Sequence, residues 1–179
     1  MTQPVRSNFS PPDARPREQV AVFSIADYRF VISAASIQEI RSTDSLGGTV
    51  VDLDRVVLRK VRHIVERDAR SYYVVSGCDH FHLPLSRPST VLILRSAPAA
   101  ILVDRIEEMA EMRVLLELPK SFIGEERTWY RGLTVLDRKV LPVANPLGFL
   151  TATDLRQLEE QNPGLLQAAA GSRNERGQA

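Results

Sequence analysis

The chain has 179 residues, 44% of them hydrophobic and 25% charged, ordinary proportions for a globular protein. About two-thirds of the unfolded surface is buried on folding at this length, so a core needs neither disulfide nor metal. Lys and Arg number 23 against 22 Asp and Glu, a formal charge of +1. That balance excludes the strong basic excess of a protein that coats nucleic acid or membrane. The single cysteine, Cys78, excludes an internal disulfide.

The first residues, Met1-Thr-Gln-Pro-Val-Arg-Ser-Asn-Phe-Ser-Pro-Pro, lack the apolar stretch of a secretion signal. No apolar run approaches the roughly 18 residues of a membrane helix. The expectation is a cytoplasmic protein without membrane insertion. Residues 1–18 hold four prolines and hardly any large apolar side chain, which predicts a flexible arm. A globular domain is expected over 19–155. The end of a C-terminal helix and a loose tail follow over 156–179, the tail from about Ala168.

In chain order, Val20-Ala-Val-Phe-Ser-Ile25 is apolar on both faces and reads as a buried strand. Ala26-Asp27 is a tight turn, and Tyr28-Arg-Phe-Val-Ile32 its hairpin partner. Ser36 to Arg41 is a short helical or extended piece. Leu46-Gly-Gly48 marks a loop and Thr49 to Leu53 a strand. Val57, Val61, Ile64 and Val65 fall at helical spacing, with Arg55, Arg59, Arg62 and Arg67 elsewhere on the wheel, so 54–68 reads as an amphipathic helix. Tyr72–Val75 and Phe81–Leu83 read as strands around a Ser76-Gly77 turn. Val91–Leu94 and Ala100–Val103 form a second hairpin, from which Ile106 to Met112 runs on. Leu133–Leu136 and Lys139–Val143 form a third around Asp137-Arg138. Thr151 with Asp154 is a helix-capping pattern, so a terminal helix runs from Thr151 to Gln161. Many short strands at hairpin spacing predict a mainly β fold, a barrel or sandwich.

Chemical signals are sparse. On a strand, Cys78, His80 and His82 would share one face and could offer a tetrahedral zinc site three of its ligands. A small metal-binding protein or enzyme using these three is therefore the alternative reading. Against it stands the bland one, strand residues near a turn, because this short pattern lacks a second half. There is no Gly-x-Ser-x-Gly elbow and no glycine-rich phosphate loop. Glu107, Glu108 and Glu111 read as a solvated face. The basic cluster Arg55, Arg59, Lys60, Arg62, Arg67 and Arg70 is interleaved with Asp52, Asp54, Glu66 and Asp68. It suits an acidic protein partner better than nucleic acid. The segment Phe122 to Gly132 joins the only Trp, Trp129, to Tyr130, Arg127 and Arg131. These residue types dominate protein interfaces, though Trp129 could equally plug the end of a barrel.

Three blocks together resemble the CheW-like domain of bacterial chemosensory coupling proteins. Val20–Ile32 followed by Ser36-Ile-Gln-Glu-Ile-Arg41 is similar to the family's opening hairpin and its Val/Ile-Gln-Glu-Ile segment. Val91 to Met109 is similar to its strand–turn–strand ending in Val-Asp-x-Val/Ile. Trp129-Tyr-Arg-Gly-Leu133 through Val140-Leu-Pro-Val143 and Asn145–Leu150 resembles its last hairpin and closing helix. The family's Arg-Gly strand before Pro-Val-Val-Asp-Leu is missing: only Val50-Val-Asp-Leu53 is present, entered from Gly47-Gly48.

The resemblance implies two five-stranded β-barrel subdomains around a shared core, with a short C-terminal helix. The segment after Leu53 adds a helix and hairpin to the first subdomain. It also implies a non-catalytic adaptor with no cofactor, whose partners are a methyl-accepting chemoreceptor and the regulatory domain of a CheA-type histidine kinase. Ile37, Glu39 and Arg41 lie in the family's receptor-facing segment. With Trp129 and Arg131 they are the expected partner-binding residues, and core packing is the competing role for Ile37.

Overall fold

The computed structural model describes residues 17–51, 58–67 and 70–161. The expected arm over 1–16, the end of the strand at 52–53, the start of the helix at 54–57 and the tail from 162 lie outside the described residues. Among the described residues, eleven strands form two sheets. The first has five strands: β1 (Glu18–Ile25), β2 (Tyr28–Ser33), β9 (Arg105–Met112), β10 (Tyr130–Leu136) and β11 (Lys139–Ala144), in the order β10-β11-β2-β1-β9. The second has six: β3 (Ile37–Ser42), β4 (Thr49–Val51), β5 (Val61–Arg67), β6 (Arg70–Ser76), β7 (Thr90–Leu94) and β8 (Ala99–Val103), in the order β3-β7-β8-β6-β5-β4. Two one-turn helices, α1 (Gly77–His80) and α2 (Glu126–Trp129), and a terminal helix α3 (Ala152–Gln161) complete it.

Three apolar clusters explain the architecture. Phe23, Ile25, Phe30 and Ile32 of the first sheet meet Ile64, Val75, Leu92, Leu94 and Ile101 of the second, forming the shared core. On its other face the five-stranded sheet gathers Val20, Val22, Val31, Met112, Leu141 and Val143. The six-stranded sheet likewise gathers Val65, Tyr72, Val74, Val91, Ile93 and Ala100. Each sheet therefore curls around its own core while sharing a third, which is why β1 is apolar on both faces. Closure is incomplete. The edges β9 and β10 of the first sheet are tied at one point beyond β9, where Leu116 and Leu133 exchange backbone bonds of 2.7 and 2.9 Å. The second sheet has one strand more than the five expected.

The hairpin turns form where expected. Ala26 and Asp27 have φ of 49° and 68°, and Asp137 and Arg138 of 48° and 63°. Two consecutive left-handed residues give a turn whose twist matches the strands it joins.

Two expectations are corrected. The helix expected over 54–68 is, from Val61 to Arg67, the strand β5. A register shift between Val61 and His63 places Val61 and Ile64 on the shared-core side, opposite Val75 and Tyr73, and Val65 on the other, opposite Tyr72. The bulge thus imitates helical spacing. The strand expected at Phe81–Leu83 is also absent, because β6 ends in the helical turn α1. The Ser76 hydroxyl caps it by accepting the Asp79 N–H at 3.3 Å. A Cβ on Gly77 would lie 2.7 Å from the Leu102 carbonyl oxygen and 2.5 Å from Ile25 Cδ1. Only glycine lets this turn sit against β8. The segment after Leu53 therefore contributes the β5–β6 hairpin and one helical turn.

Candidate functional site

The chain crosses between sheets at Asp104, between β8 and β9. Its carboxylate accepts the Ala26 N–H at 2.7 Å and the Ser86 hydroxyl. Its backbone N–H donates to the Ser24 carbonyl at 2.9 Å, and its carbonyl accepts the Ser89 hydroxyl at 2.5 Å. Asp104 thus fixes the first hairpin turn to the segment that leads into β7. Cys78 joins this network at 3.2 Å from the Ser86 hydroxyl.

On that frame, β3 is one edge of the six-stranded sheet. Strict alternation would place Ile37, Glu39 and Arg41 on one face. A bulge between Ile37 and Glu39 divides them. Ile37 lies opposite Leu94, is 8% exposed and belongs to the shared core. Ile40, opposite Leu92, lies on the same side but is 44% exposed. Ile40 was not among the expected residues, although its apolar side chain on an edge strand was the available signal.

Glu39 and Arg41 lie opposite Ile93 and Val91, on the side of the second sheet's own core. There Glu39 accepts Arg41 Nε at 2.6 Å and pairs with Arg67 Nη1 of β5 at 2.7 Å. The hydrogen bond from Arg67, and that from Arg41, hold the Glu39 carboxyl below its ordinary range. Glu39 thus ties Arg41 to Arg67 of β5, and Tyr72 and Gln38 meet beside it at 3.5 Å. The β3 edge therefore offers an exposed isoleucine on one face and a fixed Arg–Glu–Arg cluster on the other. This suits a partly apolar protein surface with a polar rim.

The other expected residues lie elsewhere. Trp129 is 5% exposed, among His80, His82, Phe81 and Tyr130. Its ring is packed inside and is not displayed at the surface. Arg131 binds Glu18 in a two-pronged pair of 2.8 and 3.2 Å, which keeps the Glu18 carboxyl below its ordinary range. This pair joins the starts of β1 and β10. The acidic face of β9 is paired: Arg29 reaches Glu107 at 2.7 Å and Glu108 at 3.1 Å, and Arg113 reaches Glu111 at 3.0 Å.

The metal alternative is corrected by the geometry. Cys78 and His80 sit on a helical turn and His82 has φ of 53°, so the common strand face does not exist. Among the described residues no three His, Cys, Asp or Glu side chains are placed to hold a metal ion.

His80 instead forms the floor of a cleft of about 460 Å³ with Trp129. The cleft lies between the approach to β5, α1 and α3. Lys60 donates to Asp154 across it at 2.8 Å. Asp154 also accepts the Thr151 N–H at 2.8 Å, and Thr151 Oγ1 accepts the Asp154 N–H at 3.1 Å, the expected cap. Burial pushes the Asp154 carboxyl up, but the Lys60 and Thr151 hydrogen bonds outweigh it and hold it below its ordinary range. His80 is 2% exposed between the rings of Phe81, Trp129 and Phe149, at 4.6–5.0 Å. Burial, helped by the nearby Lys60 charge, pushes it down from 6.5 to about 3.

Among the described residues, no helix is long and apolar enough to cross a membrane. No family model matches the sequence, and no curated protein matches it. Among solved structures, the scaffolding protein TtCheW from Thermoanaerobacter tengcongensis is similar with a TM-score of 0.62. The match covers 73% of this chain and 90% of that one, at 14% identity. Two curled sheets around a shared core, a paired hairpin at each end of the chain and a terminal helix are therefore the CheW-like fold.

Proposed function

We propose that this protein is a non-catalytic adaptor of a chemosensory pathway, acting in the cytoplasm through protein–protein contacts, with residues 19–155 as the coupling domain. The observation that carries the reading is the match to a scaffolding protein over 90% of that protein's chain. The partners are the regulatory domain of a CheA-type histidine kinase and a methyl-accepting chemoreceptor. The β3 edge supports the second contact. Ile40 supplies the apolar anchor and Glu39, Arg41 and Arg67 a charged rim. Ile37 acts by seating β3 on the core, and Trp129 and Arg131 by holding the base of β10.

The test is affinity capture of the tagged full chain from its own cells, with Ile40→Lys plus Arg41→Glu as the paired variant. Both side chains are partly exposed, so the variant keeps the fold. Recovery of a CheA-type kinase or a chemoreceptor, with the chemoreceptor lost in the variant, is the expected result. Recovery of neither above an untagged control refutes the adaptor role. Undiminished receptor capture by the variant refutes the assignment of the surface.

A further inference from the structure

The shared core does not cover the whole of the first sheet. Val31 of β2 and Val143 of β11 are paired, and both face that sheet's own core. Alternation therefore turns Tyr28 and Phe30, and Val140 and Pro142, to the other face. At Phe30 this face is buried in the shared core. Beyond Phe30 it comes out to solvent at Tyr28 and Val140. Val135 of β10 lies directly opposite Val140. Leu116 lies across from Leu133, and the carbonyl of Val114 accepts the Thr134 hydroxyl at 2.6 Å. Tyr28, Val114, Leu116, Val135 and Val140 are each between 44% and 60% exposed. A solvated sheet face ordinarily carries polar residues. Single exposed apolar side chains are common, but a contiguous row of them marks an interaction site.

We propose that this face is the interface of a homodimer, in which a second copy of the chain packs on it about a two-fold axis.

The row is apolar from end to end, so it can serve as its own complement, as a two-fold contact requires. An axis lying in the interface and running between β10 and β11 lays Val135 on the partner's Val140. It also lays Tyr28 on the partner's Val114. The same axis brings Asp137 to the partner's Arg138 and Lys139. This hairpin turn is exposed and carries both signs. A partner of one charge sign would meet repulsion on part of it, and a second copy does not. Five large apolar side chains, each about half exposed, present on the order of 400 Å². Two such faces with their turns bury about 1,000 Å² in total, the lower end for a specific complex. The expected dissociation constant is therefore on the order of 10 μM. Strand β3 lies in the other sheet and outside this face. The dimer goes beyond the adaptor reading and does not rest on it.

Sedimentation equilibrium of the full chain from about 1 to 300 μM tests it. The mass should rise with concentration from one chain to two and stop there. Val140→Lys and, separately, Val135→Lys set like charges against each other at the axis. Each should weaken dimerisation at least about thirtyfold. Both positions are exposed, so the variants fold, which circular dichroism checks. Ile40→Lys, on the β3 edge, should dimerise like the parent. A single-chain mass up to about 300 μM overturns the proposal. So does parent-like assembly by both folded lysine variants, or loss of the dimer in Ile40→Lys, which places the contact on β3. A monomer whose Val135 and Val140 methyl resonances are shielded from a soluble paramagnetic agent also overturns it, because the chain itself then covers the face.

Discussion

Replacing His80 by Phe tests how the interior is held together. The imidazole is buried among three aromatic rings and carries two unpaired nitrogens. A phenyl ring fills similar space without polar atoms, so at pH 8 the variant should be at least as stable as the parent. The difference appears on acidification. His80 is depressed from 6.5 to about 3 on folding, by burial and by Lys60, against an opposing pull from Asp154. The unfolded chain therefore takes up a proton that the folded chain refuses. Stability is full above the unfolded value and is lost as the pH falls toward the folded value. At pH 5, with the unfolded group at 6.5, this one site removes about 2 kcal/mol. Urea unfolding of both proteins at pH 8 and pH 5 measures it. The parent should lose about 2 kcal/mol more than His80→Phe, since the other titrating groups are common to both. Equal losses would refute the burial argument for His80.

Asp154→Ala leaves the Lys60 ammonium without its partner and removes the half of the α3 capping pair in which the carboxylate accepts the Thr151 N–H. A loss of about 3 kcal/mol in denaturant unfolding is expected. Acid should weaken the parent through this site as well. The Asp154 carboxyl is held below its ordinary 3.8, so its contribution is present above that value and fades as the pH falls through the folded one. Gly77→Ala forces a methyl group against the Leu102 carbonyl and Ile25. It should cost about 1–3 kcal/mol, read as a lowered urea midpoint. Asp137→Asn with Arg138→Gly supplies a turn pair suited to two left-handed residues. It should raise stability by about 1 kcal/mol in the same assay.

The sequence made the regular parts of the fold readable and hid the irregular ones. Ala26-Asp27 and Asp137-Arg138 announced their hairpins, because short polar turns between apolar runs have few alternatives. Thr151 and Asp154 announced α3. Ser76 and Asp79 show the same three-residue spacing as that cap, and the Ser76 hydroxyl does cap α1. That signal lost to the reading of Ser76-Gly77 as a hairpin turn. The bulges in β3 and β5 were the deeper obstacle. Each shifts the phase of alternation, so Val61 and Ile64 share a face, and so do Ile37 and Ile40. Only the β-branched composition of Val61–Val65 argued for a strand. The Glu39–Arg67 pair spans 28 residues of sequence, and the cleft joins α1 and α3, so neither is written in local pattern.

The most direct test of the adaptor reading is calorimetric titration of the purified full chain with the regulatory domain of the CheA-type kinase from the same cells. The account predicts saturable one-to-one binding with a dissociation constant on the order of micromolar. A properly folded kinase domain that gives no binding at about 100 μM of each protein would contradict it.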